Sequence, residues 1–148
     1  MRNDVFNTPF ENMLRILLLS NTMKRPANVD RLTALDFICI FGKKCKVLDK
    51  NLHGDNEFGF SEFTTKRERI KEAVKLAVKN DFLDVERGKD GFIYSISDRG
   101  REVVKSLESP YAHDYVIGAK IVCNRFSAFT DEEILEYISD LSTEAKEG

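Results

Sequence analysis

The sequence predicts a mainly α-helical domain with one small β-hairpin, and the main evidence lies between residues 65 and 107. Thr65 and Glu68 have the Thr-x-x-Glu spacing of a capping box, whose side chains bond the free N–H groups at a helix start. Gly88-Lys-Asp-Gly91 has the composition of a tight turn between strands, here expected to span four residues. A second helix start follows at Ser97. The order helix, hairpin, helix is typical of a winged helix-turn-helix core, which binds DNA or other proteins.

Each element of this core has local signals of its own. The first helix is predicted to end near Asn80 and Asp81, because both residue types are poor helix formers. Its apolar face consists of Ile70, Ala73, Val74, Ala77 and Val78. The alternating apolar residues of the hairpin are Val85, Phe92, Tyr94 and Ile96. Ser97 or Asp98 caps the next helix. Gly100, in its first turn, costs about 1 kcal/mol of propensity against alanine, so we expect it to allow close approach to a neighbouring backbone.

Helices are also predicted on both sides of the core. Thr8 and Glu11 form a second capping box, with Pro9 at the preferred first helical position, and that helix should run to about Ser20. Another should run from near Asn28 to Gly42, and two more should begin at residues 109–110 and at the Thr130/Glu133 box. The predicted single domain, residues 1–148, divides into N-terminal helices (5–42), a long loop (43–64), the helix–wing–helix core (65–107), C-terminal helices (109–141) and a frayed tail (142–148).

The long loop carries three phenylalanines, Phe58, Phe60 and Phe63. Loops of this length are uncommon inside compact domains and tend to be functional or disordered. Aromatic residues are depleted in disordered segments. Two interpretations stay open: the rings form a small cluster under the loop, or they contact a partner.

Composition limits the classes of function. The 148 residues carry a net charge of −2, which does not indicate a generally basic nucleic-acid binder. No apolar run approaches the roughly 20 residues that span a bilayer, and the first residues lack the apolar region of a signal peptide. The three cysteines, at positions 39, 45 and 123, have neither disulfide nor zinc spacing. We therefore expect a cytoplasmic protein that does not contact membranes.

The sequence offers no pattern that predicts catalysis. His53 and His113 stand apart from each other and from the cysteines, so neither belongs to a metal-ligand spacing. The acidic residues 131–133 are typical of a helix N-terminus. Phosphate-binding loops, dinucleotide fingerprints and nucleophile elbows are missing. We expect no enzyme activity, no cofactor, no metal and no small-molecule substrate.

DNA binding is one functional hypothesis for the core. Between Lys66 and Lys105 there are eleven basic and eight acidic residues, a modest surplus for binding phosphates. The candidate DNA-facing residues are Lys66, Arg67, Lys71, Lys75, Lys79, Arg87 and Lys89. Glu68 and Glu72 can pair with the helix lysines at three- and four-residue spacing. The helix face is therefore either a solvated surface or a weak, non-specific contact for duplex DNA.

Several segments together resemble a known family. They are Phe10-Glu-Asn-Met-Leu-Arg-Ile-Leu, Arg31-Leu-Thr-Ala-Leu-Asp36-Phe, the predicted wing, Glu108-Ser-Pro-Tyr-Ala112 and Val122-Cys-Asn-Arg-Phe126. Over roughly residues 5 to 138 the chain is similar to the small middle component of bacterial ABC three-component systems, which include the Lamassu-type anti-phage systems.

The resemblance implies a winged-helix accessory subunit that joins an SMC-like or Rad50-like ABC ATPase to an effector, often a nuclease, in a DNA-sensing defence complex. The alternative is a stand-alone dimeric winged-helix transcriptional regulator. Arg31 is a candidate partner-binding residue, as are Phe58, Phe60 and Phe63. Arg31 could instead pair with an acid in the core, and the sequence leaves both interpretations of Arg31 open.

Overall fold

The computed structural model describes residues 8–53 and 63–147. Within them the chain forms six α-helices and a two-stranded antiparallel sheet, which confirms the prediction of a mainly helical protein with a small hairpin. The elements are α1 (Pro9–Met23), α2 (Val29–Ile40), α3 (Phe63–Lys79), β1 (Leu83–Gly88), β2 (Gly91–Ile96), α4 (Asp98–Lys105), α5 (Pro110–Arg125) and α6 (Asp131–Glu147).

The first two helices begin where the sequence places them. Thr8 caps α1 by accepting the N–H of Glu11 at 3.1 Å, and Asn28 caps α2 by accepting the N–H of Arg31 at 2.8 Å. Helix α1 continues about one turn beyond the predicted end at Ser20. It stops at Lys24, which has a φ of 59° and donates its N–H to the Ser20 carbonyl.

Helix α3 begins at Phe63, two residues before the predicted capping box. The ring of Phe63 lies edge-on to Phe37 of α2, with 5.3 Å between centroids. Thr65 is therefore the third residue of the helix, and the predicted Thr65/Glu68 box and the loop boundary at residue 64 are wrong. Tertiary packing of an aromatic ring outweighed the local capping signal.

The hairpin follows α3 through Asp81, which has a φ of 63°. Its register pairs Val85 with Tyr94, and Gly88 with Gly91. Only residues 89 and 90 therefore form the turn, instead of the four residues predicted. Gly91 has a φ of 129°, a conformation that side chains rarely adopt.

Gly100 lies in the first turn of α4, which Ser97 caps by accepting the Gly100 N–H at 2.9 Å. A Cβ on Gly100 would overlap the carbonyl oxygen of Phe82 and lie 2.9 Å from the Ile96 side chain. The close approach to a neighbouring backbone that the sequence predicts is confirmed.

The C-terminal helices pack against the N-terminal ones. Ser109 caps α5 by accepting the N–H of Ala112 at 3.1 Å. Thr130 and Glu133 form a reciprocal capping box, with bonds of 2.8 and 3.1 Å. Helix α6 extends to Glu147, beyond the predicted end at Leu141, so residues 142–147 of the predicted frayed tail are helical. Residue 148 lies outside the described residues. The good helix formers after residue 143, in the order Glu-Ala-Lys-Glu, allow this extension.

The hydrophobic core lies between α1, α2, α3 and α5. Its largest fully buried side chains are Tyr115, Phe37, Phe126, Ile16, Leu17, Leu19, Leu32, Leu35, Ile38, Ile70, Ile134 and Val74. Cys39 and Cys45 are buried and Cys123 is partly buried, all as free thiols. None of the described helices combines the length and apolar composition needed to cross a membrane.

Candidate partner-binding and DNA-facing surfaces

Three of the candidate DNA-facing residues form an exposed row on α3. Lys71, Lys75 and Lys79 recur every four residues and are all exposed. Within the described ranges, no ion pair joins any of them to an acid, although Glu68 and Glu72 are exposed on the same helix. The row is available to a phosphate backbone, but acidic side chains lie beside it.

Lys66 and Arg67 both form ion pairs with acids of α2. The Nζ of Lys66 is buried 2.8 Å from Oδ2 of Asp36, so Lys66 does not face solvent. The Nε of Arg67 lies 2.6 Å from Oδ1 of Asp30 on α2, on a half-exposed surface. The structure thus separates these two cations from the lysine row that follows them.

The remaining candidate cations lie on the hairpin. The guanidinium of Arg87 stacks over the ring of Phe92, with 5.7 Å to its centroid. Lys89 is exposed in the turn. Asp84, Glu86 and Asp90 accompany them along the same short segment, so the hairpin as a whole is not basic.

A buried charge cluster, which the sequence analysis missed, centres on Asp36. Its carboxylate is completely buried and is contacted twice by Arg15, at 3.2 Å from Nε and 3.2 Å from Nη2. It also accepts the hydroxyl of Tyr115 at 2.6 Å, in addition to the ammonium of Lys66. These four side chains come from α1, α2, α3 and α5, so the cluster joins the four core helices. A sequence signal existed, since both Arg15 and Asp36 interrupt otherwise apolar stretches.

The electrostatics of the cluster favour the ionised carboxylate. Burial alone would raise the pKa of Asp36, but the charges of Arg15 and Lys66, with their hydrogen bonds, outweigh burial and hold that pKa far below its usual range. Burial also raises the pKa of the Tyr115 phenol, and repulsion between an ionised phenol and the Asp36 carboxylate raises it further. Burial lowers the pKa of the Lys66 ammonium, and the charge of Asp36 opposes that shift. The Asp36–Arg15 pair is thus ionised at neutral pH.

Arg31 pairs with an acid of the chain itself. Its Nη1 lies 2.9 Å from Oδ1 of Asp131, and its guanidinium also donates to the carbonyl groups of Phe126 and Phe129 at 3.0 and 2.9 Å. Asn28 donates to the second oxygen of Asp131 at 2.9 Å. Arg31 is buried and joins α2 to the start of α6.

Of the three loop phenylalanines, the structure places only Phe63. It is partly buried against Phe37, whereas Phe58 and Phe60 lie outside the described residues. His53, at the end of the preceding segment, places Nε2 2.5 Å from the hydroxyl of Tyr111. Burial is the main cause that lowers the pKa of His53 to about 4, and the positive charge of Arg15 is the second cause. His53 is therefore neutral at physiological pH.

Exposed apolar residues mark two further surfaces. On α5, Ile117 and Ile121 are each about half exposed and border a cleft of about 240 Å³. The cleft floor includes Leu48 and Leu52, and we call it the α5 cleft. On the hairpin, Val85 and Phe92 are 44% and 54% exposed. In the described part of the chain, no group of three or more histidine, cysteine or acidic residues could hold a metal ion.

Comparison with known proteins identifies the family. The family model for the ABC-three component (ABC-3C) system Middle Component 2 matches residues 5–147. None of the curated proteins and none of the solved structures compared with the chain matches it. The family match confirms the similarity to ABC three-component middle components that the sequence predicts. Because the match spans nearly the entire sequence, this chain belongs to the Middle Component 2 family of ABC three-component systems.

Proposed function

We propose that this protein is a non-enzymatic accessory subunit that links an SMC-like or Rad50-like ABC ATPase to an effector such as a nuclease. The complex would act in the cytoplasm in anti-phage or anti-plasmid defence of the Lamassu type. The family match over residues 5–147 carries the proposal, because a middle component works with the other components of its system.

The architecture supports a winged-helix core for this subunit. The chain order is α1, a single bridge at Ala27, α2, α3 and then the hairpin, with Ala27 bonded to Tyr94 of β2. In this order, α1, α2 and α3 correspond to the three helices of a winged-helix core, and Ala27 takes the place of its short first strand. Acidic side chains lie beside the lysine row of α3 and along the hairpin. Together with the exposed apolar residues of the hairpin and the α5 cleft, they favour protein partners over DNA as the main ligand.

The experiment that tests the proposal is co-expression with the ABC component of the same system. We expect one complex that survives gel filtration at moderate salt and elutes earlier than either protein alone. Elution of the two proteins as separate peaks would contradict the accessory-subunit function.

A stand-alone DNA-binding regulator is the second candidate, and the exposed row of Lys71, Lys75 and Lys79 favours it. A dimer would place two recognition elements about 34 Å apart on operator half-sites. A footprint on a defined operator by the protein alone, at physiological salt, would establish this function. We expect no such footprint.

A further inference from the structure

Among the described residues, none pairs with the outer edge of β1. β2 lies in the middle of the sheet, because it pairs with β1 on one side and with Ala27 on the other. Ala27 and Tyr94 exchange backbone hydrogen bonds of 2.8 and 2.9 Å. Across residues 8–53 and 63–147, no strand or bridge lies on the far side of β1.

The register identifies the backbone groups that point toward this open edge. In an antiparallel ladder, successive residues alternate between bonding their partner strand and pointing away from it. Tyr94 directs its N–H and C=O to Ala27, so Val85, its partner across the ladder, directs its own groups away from β2. Arg87 lies two residues further along and points the same way. Within residues 8–53 and 63–147, the outward N–H and C=O of both residues have no backbone hydrogen-bond partner.

The side chains of the hairpin give the edge two chemically distinct faces. Val85 and Phe92 are diagonal neighbours on one face, and Arg87 covers part of the Phe92 ring. Asp84 and Glu86 lie on the opposite face and are exposed. Neither acid forms an ion pair with any residue in the described ranges. An open edge beside exposed apolar side chains is a template for pairing with another strand.

Charge distinguishes protein from nucleic acid as the occupant. Residues 83–91 carry three carboxylates against two cations, a net charge of −1. Binding to a phosphate backbone requires an excess of cations, which this segment lacks. An extended peptide with lysine or arginine on one face complements Asp84 and Glu86.

We propose that β1 is the docking edge for an extended segment of a partner subunit, which adds to the sheet as a further strand. Its apolar side chains would cover Val85 and Phe92, and its basic side chains would lie opposite Asp84 and Glu86. The inference rests on the proposed function, since the segment belongs to the ABC component of the system.

Residue-resolved amide exchange tests the inference in the complex of the full chain with the ABC component. We expect the amides of Val85 and Arg87 to exchange at least about tenfold more slowly in the complex. The amides of Asp84 and Glu86, which already bond β2, should change much less. Unchanged exchange at Val85 and Arg87 would overturn the inference.

Variants test the backbone and the charges separately. Val85→Pro removes an outward N–H without breaking a bond to β2, and should weaken the complex at least about tenfold, whereas Val85→Ala should cost less. In case proline disturbs the hairpin, Asp84→Lys with Glu86→Lys provides a second test and should also weaken binding by about tenfold at low salt. Glu132→Lys with Glu136→Lys makes the same change in charge on the exposed face of α6 and serves as the control, with binding retained.

The outcomes separate this inference from the proposed function. If the wild-type chain forms no complex, both are overturned. If the complex forms but neither the β1 variants nor amide exchange shows an effect, only the docking edge is overturned. If only the double variant Ile117→Ser with Ile121→Ser abolishes the complex, the interface lies at the α5 cleft. If duplex DNA slows amide exchange at β1 and the ABC component does not, the edge binds nucleic acid. Either result overturns the docking edge.

Discussion

Asp36 is the residue on which the four core helices converge. Replacing it with asparagine preserves its shape but leaves the charges of Arg15 and Lys66 buried without the carboxylate. Breaking a buried ion pair in this way costs about 3–5 kcal/mol. Denaturant unfolding of Asp36→Asn should therefore show a large loss of stability, and adding Lys66→Met should restore part of it.

The matched control for that variant lies on the same helix. Asp30 pairs with Arg67 at 2.6 Å, but both side chains are nearly half exposed. Exposed ion pairs contribute only about 0–1 kcal/mol, so Asp30→Asn should change the unfolding free energy little. Equal losses in the two variants would contradict the structural role of the buried cluster.

Gly100 gives the second residue-scale prediction. Because a methyl group there would overlap the carbonyl oxygen of Phe82, Gly100→Ala should cost roughly 1–3 kcal/mol despite its better helix propensity. The thermal midpoint should fall by several degrees. Arg99→Ala, at an exposed position in the same turn, is the control. A higher midpoint for Gly100→Ala would show that the close approach does not exist.

His53 and Asp36 predict how stability depends on pH. The folded pKa of His53 is about 4, whereas an unfolded histidine titrates near 6.5. Between those values the unfolded chain binds the extra proton, so stability should fall as pH decreases from about 6.5 to 4. Asp36 adds to this loss only below about pH 4, where an unfolded aspartate is protonated. His53→Gln should reduce the dependence of the unfolding free energy on pH between about 6.5 and 4 and leave the dependence below pH 4 unchanged. An unchanged slope above pH 4 would contradict the lowered pKa of His53.

At the scale of elements, the lysine row of α3 predicts weak binding of duplex DNA without sequence preference. Replacing Lys71, Lys75 and Lys79 together by glutamate should abolish that binding and reduce its dependence on salt. Fluorescence anisotropy with two unrelated duplexes at several salt concentrations provides the measurement. Tight binding to only one of the duplexes would instead support the regulator function.

Local sequence patterns predicted those element boundaries that depend on neighbouring residues. The caps at Thr8, Ser97 and Thr130 are correct because each involves residues only three positions apart. The start of α3 was predicted wrongly because its position depends on Phe63 meeting Phe37, a contact between different helices. The charge cluster was missed for the same reason, since Asp36 meets partners 21 and 79 residues away.

For the molecule as a whole, we propose that this chain connects two other proteins. Family membership indicates that the partners are the other components of an ABC three-component system. The open β1 edge and the α5 cleft are separate surfaces, so two proteins could bind to this chain at the same time. A connector must hold both at once, so its presence should determine whether they associate.

Mass photometry of the three purified components tests this claim most directly. We expect a species with the combined mass of the ABC component, this chain and the effector only when all three are mixed. Without this chain, the ABC component and the effector should remain apart. Association of those two proteins to the same extent without this chain would contradict the connector function.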